Sequence, residues 1–156
     1  MNKFSIAIIF LAFGFLAACN NTDKKANTGN GVSKTLADSL ENEVMDGHNV
    51  GMAKYGKLKA MQNKVQDILD SIGKISFISP SPLFDYEKNM KQLLGELKSA
   101  RAGMDKWMDE YNMDSAVNNI EQRIKYLTEE KIKVSKVKEA ILNSLQKADS
   151  LLKAKF

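Results

Sequence analysis

From Leu36 to Leu152 apolar side chains return every three or four positions, and the chain's only two prolines stand together at Pro80 and Pro82. That period belongs to a helix with one buried face. In the first segment the stripe runs Leu36, Leu40, Val44, His48, Met52, Tyr55, Leu58, Met61, Val65, Ile68 and Ile72. Ser33 or Thr35 is expected to cap this helix, and Gly73 to stop it. Gly47, Asn49, Gly51 and Gly56 each cost up to about 1 kcal/mol relative to alanine, so a kink or fray is expected between Asp46 and Gly56.

Ile75 to Ser81 reads as a connection, after which Ser81 and Pro82 suit a helix start. The second stripe is Leu83, Tyr86, Met90, Leu93, Leu97, Ala100, Met104, Trp107 and Tyr111. After a short turn at Asn112 to Asp114, a third runs through Val117, Ile120, Ile124, Leu127, Val134, Ile141, Leu145, Ala148 and Leu152, with Lys131 and Lys138 breaking it. Steps alternating between three and four are those of a coiled-coil seam. The expected fold is all-α: an antiparallel up-down-up three-helix bundle over residues 33–156, with helices at about 34–73, 82–112 and 115–154. In that register residue i of the first helix meets roughly residue 156 − i of the second. Residues 34–43 then project past the second turn, and Ser33 to Gly51 is expected to be the least protected part of the bundle.

Residues 1–18 have a different character. Lys3 precedes the thirteen-residue run Phe4 to Leu16, and Leu16-Ala17-Ala18-Cys19 closes it. The run is shorter than the roughly 20 apolar residues that span a bilayer, and fits the core of a cleaved signal peptide. The chain's single cysteine lies at its end. Leu-Ala-Ala-Cys resembles the lipobox of bacterial lipoproteins, which implies lipid attachment at Cys19 and cleavage before it. More than one acyl chain makes such an anchor stable. Asn20, where aspartate retains enterobacterial lipoproteins in the inner membrane, favours the outer membrane by analogy. Residues 20–32 are polar and rich in glycine and asparagine, and read as a tether from the lipidated Cys19. Loss of Lys3 with the signal leaves 22 basic and 19 acidic side chains.

Glu43-Val44-Met45 with His48, Met52 and Lys54, then Met104-Asp-Lys-Trp107-Met108 and Tyr126-Leu-Thr-Glu-Glu-Lys131, resemble small Bacteroidota lipoproteins labelled "viral A-type inclusion protein". The label reflects coiled-coil similarity. The resemblance covers most of the mature chain and implies an envelope location and a helical fold, with no established activity.

Composition narrows function mainly by exclusion. One cysteine excludes a disulfide framework and a thiolate cluster, and one histidine excludes a multi-histidine zinc site. A net charge of +4 with 8% aromatic residues is a poor match to nucleic-acid binding. No nucleophile elbow, phosphate loop or metalloprotease motif is present, and the pairs Asp109-Glu110 and Glu129-Glu130 read as solvated charges. No catalytic residue and no cofactor are therefore expected. The leading expectation is a non-enzymatic envelope lipoprotein that binds the membrane through its lipid and an envelope protein or glycan through a helix face.

Two other patterns carry chemistry. Met45, His48 and Met52 share a face, and the antiparallel register brings Met104 and Met108 with Trp107 opposite them. Thioether and imidazole together suit Cu(I), the alternative to the favoured reading of plain packing, for which methionine is an adaptable filler. Asp-Ser-apolar triplets are similar to the O-glycosylation sequon of Bacteroidota; Ser115, in the expected turn, is the accessible candidate. Residues 115–156 hold nine basic and five acidic side chains, while the first two helices are each net −1. The basic stripe reads as a solubilising face.

Overall fold

The computed structural model describes residues 28–75 and 83–153, and these form three packed helices: α1 (Thr28–Ile75), α2 (Leu83–Glu110) and α3 (Ile120–Lys153). At 1.5 Å per residue they are about 72, 42 and 51 Å long. No strand occurs among the described residues. Residues 1–18, read above as a signal peptide, Cys19, and the stretch around Pro80 and Pro82 lie outside them.

The core is a continuous apolar seam along all three helices. Val44, Leu58 and Val65 of α1, Met90, Leu93, Leu97 and Met104 of α2, and Leu127, Val134 and Ile141 of α3 are fully buried. Each such side chain adds roughly 1.5–3 kcal/mol by leaving water. Contacts fix how α1 and α2 are paired: His48 lies against Trp107, Tyr55 against Arg101 and Asp105, and Gln62 donates to the Leu97 carbonyl at 2.8 Å. Residue numbers in these pairs sum to between 155 and 160.

Four features of α1 differ from expectation. It begins at Thr28, inside the stretch read as a tether, so Ser33 and Thr35 lie within the helix and do not start it. It runs two residues past Gly73. Leu36 is exposed, and Ala37 takes the inward position. Finally, the helix is uninterrupted through Asp46 to Gly56. Gly47 and Gly51 are buried, and side chains of α3 and α2 lie directly against them. A Cβ on Gly47 would sit 2.9 Å from Val134 Cγ1, and one on Gly51 would collide with the Met104 methyl. These glycines cost helix propensity but admit Val134 and Met104 to the axis of the bundle.

The link from α2 to α3 is longer than expected. Residues 111–119 are non-helical, so the third helix starts at Ile120 and not at 115, and Val117 is exposed instead of continuing the stripe. Asparagines organise the link. Asn112 Oδ1 accepts the Asp114 amide at 2.9 Å, and Asn119 Oδ1 caps α3 by accepting the Gln122 amide at 3.1 Å. Ala116 between them has a φ of 56°, a left-handed conformation that costs a non-glycine residue about 1 kcal/mol.

This link folds back over α1. Ala37, Leu40 and Val44 are buried, so residues 34–43 do not project unsupported, contrary to the expectation from the seam. The fastener is Arg123, whose side chain is only 8% exposed. Its Nη1 donates to the carbonyls of Met113 at 2.7 Å and Ser115 at 3.0 Å, and Nη2 pairs with Glu41 Oε2 at 3.0 Å. Arg123→Leu should therefore cost about 2 kcal/mol, since each lost partner can rehydrate at the surface. Hydrogen exchange should show the loss concentrated at Leu40 to Val44, with little change at Leu58 or Leu97.

Candidate functional site

Two regions combine polar chemistry with defined geometry: a buried aromatic seam near the α2–α3 link and a basic groove between α1 and α3.

In the seam, Trp107 is buried between His48 and Tyr111, with ring centroids 5.6 Å and 4.8 Å away, and Tyr111 continues to Tyr126 at 6.1 Å. The indole Nε1–H donates to Glu130 Oε2 at 2.9 Å, and Lys133 Nζ donates to the other carboxylate oxygen at 2.7 Å. Glu130 is thus a buried carboxylate with both oxygens satisfied, a residue the periodicity analysis placed among solvated charges. That contact also holds the Lys133 ammonium above its ordinary pKa. The Tyr111 hydroxyl is buried with no hydrogen-bond partner among the described residues, and burial raises its pKa.

The five residues of the soft-metal set are distributed unequally. Met104 is fully buried with its methyl over Gly51, while Met45, His48 and Met52 are half-buried. Met108 is 36% exposed. His48 Nδ1 lies 3.2 Å from Asn49 Oδ1, and its ring is tilted against Trp107. Ser115 does lie in the link, but it is half-buried and its carbonyl is bound by Arg123.

The second region became visible only once the helices were placed side by side. Summed helix by helix, charge is nearly even between α1 and α2; summed along the bundle it is not. The half containing residues 28–46 and 105–130 carries eleven acidic and four basic side chains. The other half, residues 47–75, 83–104 and 131–153, carries fifteen basic and seven acidic ones. One end is therefore net −7 and the other net +8. Among the described residues, surface pairs that bridge helices include Lys57–Asp149 at 2.8 Å, Lys147–Glu96 at 2.6 Å and Lys131–Glu43. Lys147 and Lys57 hold the Glu96 and Asp149 carboxyls below their ordinary pKa values.

In the basic half, Lys54, Lys57, Leu142, Leu145, Gln146, Asp149, Ser150 and Lys153 line an open groove of about 420 Å³ between α1 and α3. A similar cleft of about 540 Å³ at the acidic end lies among Ala37, Asp38, Glu41, Val117 and Arg123. No cluster of three or more histidine, cysteine, aspartate or glutamate side chains suited to a metal occurs among the described residues. No described helix is long and apolar enough to cross a membrane.

The chain matches no protein-family model, and no curated protein or solved structure is significantly similar to it.

Proposed function

We propose that this chain is a non-enzymatic lipoprotein of the bacterial envelope, held at the outer membrane through Cys19, whose antiparallel three-helix bundle is a binding module. The observation that carries the reading is Leu16-Ala17-Ala18-Cys19 at the end of an apolar run too short to span a bilayer. The order of contacts between α1 and α2 supports the antiparallel arrangement, and the resemblance to small Bacteroidota lipoproteins belongs to the same proposal. Between Cys19 and Thr28 there are nine residue steps, a reach of no more than about 30 Å. The acidic end would thus lie near the lipid, and the basic end would be carried outward.

Cys19→Ser tests the anchor. Metabolic labelling with a fatty acid should mark the wild-type chain and partition it into detergent, and the variant should show neither. A variant that is still labelled overturns the reading. The soft-metal alternative has its own readout, because Trp107 adjoins His48. With the Met and His side chains serving as packing, stoichiometric Cu(I) should leave tryptophan fluorescence unchanged; quenching that His48→Ala abolishes would establish a metal site.

A further inference from the structure

The groove in the basic half combines charge with apolar surface. Leu142 of α3, one of its lining residues, is 36% exposed, and Val50 of α1, beside the lining and one turn before Lys54, is 44% exposed. Val50 precedes Lys54 and Lys57 by four and seven residues, which places all three on one face of α1. Lys54, Lys57 and Lys153 line the groove, and Asp149 is the one carboxylate among its lining residues. Asp149 is already engaged by Lys57, with Lys153 and Lys64 adding their field. Among the described residues Lys54 and Lys64 form no ion pair, which leaves the groove with surplus positive charge.

We propose that this groove is the docking site for an acidic amphipathic helix of a protein partner. The apolar stripe of that helix covers Val50 and Leu142, and its carboxylates meet Lys54, Lys57 and Lys153. The inference rests on the reading of the bundle as a binding module and is independent of the lipid anchor. Three properties select this occupant. The surface is concave between two packed helices, which receives a rod about 10 Å across and not a flat bilayer. The apolar residues give nothing to a purely charged polymer, whereas an amphipathic helix buries its own stripe on them. The surplus charge is positive over the whole half, so an acidic partner is favoured from a distance as well as at contact.

The probe is a labelled designed peptide of about 20 residues, with leucine at helical spacing and glutamate on both flanks. It is long enough to run beside α1 from Val50 past Lys64. Fluorescence anisotropy with the full chain in non-ionic detergent should show binding that weakens steeply as salt rises. Lys54→Glu combined with Lys153→Glu should weaken it about tenfold or more. Both lysines are exposed, and circular dichroism checks that the variant keeps the wild-type fold. Asp149→Asn, which removes the competing carboxylate, should tighten binding severalfold. Polyglutamate and phosphatidylglycerol vesicles should each bind more weakly than the peptide. The proposal is overturned by absence of peptide binding, by equal binding to the charge-reversed variant, or by tighter binding of polyglutamate or vesicles. Those failures leave the Cys19 labelling result untouched, so the groove and the anchor stand or fall separately.

Discussion

Trp107→Ala should lower the stability of the bundle by about 4 kcal/mol, within the range for removing a buried tryptophan. Two losses combine. The ring is 5% exposed, stacked on Tyr111 and tilted against His48, so its removal leaves a void in the bundle. It also strips Glu130 Oε2 of its donor, inside a side chain that is 4% exposed and then holds only Lys133. Trp107→Phe separates the two by keeping a ring and deleting the N–H, and should cost about 2 kcal/mol. Adding Glu130→Leu to Trp107→Phe should recover part of that cost, since an apolar pair replaces an orphaned charge. Urea unfolding followed by circular dichroism measures all three, with Glu130→Leu alone completing the cycle. Additive effects in the double variant would show that the indole and the carboxylate are not coupled.

Gly47→Leu is expected to be nearly as damaging, at about 3 kcal/mol. The first added atom would already stand 2.9 Å from Val134 Cγ1. Valine has little rotamer freedom with which to move aside, so α1 and α3 must separate. Gly56→Ala is the control. It lies on the same helix with nothing within 4 Å of the added methyl, and should stabilise by about 0.5–1 kcal/mol. If Gly47 were merely a weak point in the helix, both substitutions would stabilise.

The contrast between those glycines shows what a sequence pattern of this kind reveals and what it hides. The α2 stripe from Met90 to Trp107 was legible at every buried position but Leu94, because those positions carry apolar side chains at helical spacing. The same reasoning failed at Gly47 and Gly51. A seam position without a side chain adds nothing to a hydrophobic count, and His48 and Met52, one residue on, took their places in the stripe. Arg123 and Glu130 failed for a related reason: they are buried and polar, with partners that only the fold brings near, whereas Ser144 is buried with its hydroxyl donating to the Ile141 carbonyl of its own helix. The start of α3 does carry a local signal. Asn119 followed by Gln122 has the spacing of an N-terminal capping box, but Val117 fitted the apolar period and drew the helix forward. For the candidate site the sequence supplied the pairing of His48 with Trp107 through the expected register, but not Tyr126 or Glu130. It did not supply the basic groove, because counting charge by helix averages away a separation that runs along all three.

That separation has a consequence for many copies together. Two rods standing side by side and pointing the same way bring acidic end against acidic end and basic against basic, and they repel at both levels. Turn one of them over, and each end faces its opposite. Electrostatics of this reach acts over about 8 Å at physiological ionic strength, so it matters only for near neighbours. Copies fixed to one surface by the same end would keep their distance like charged posts in a fence. Copies approaching from two facing surfaces would interleave.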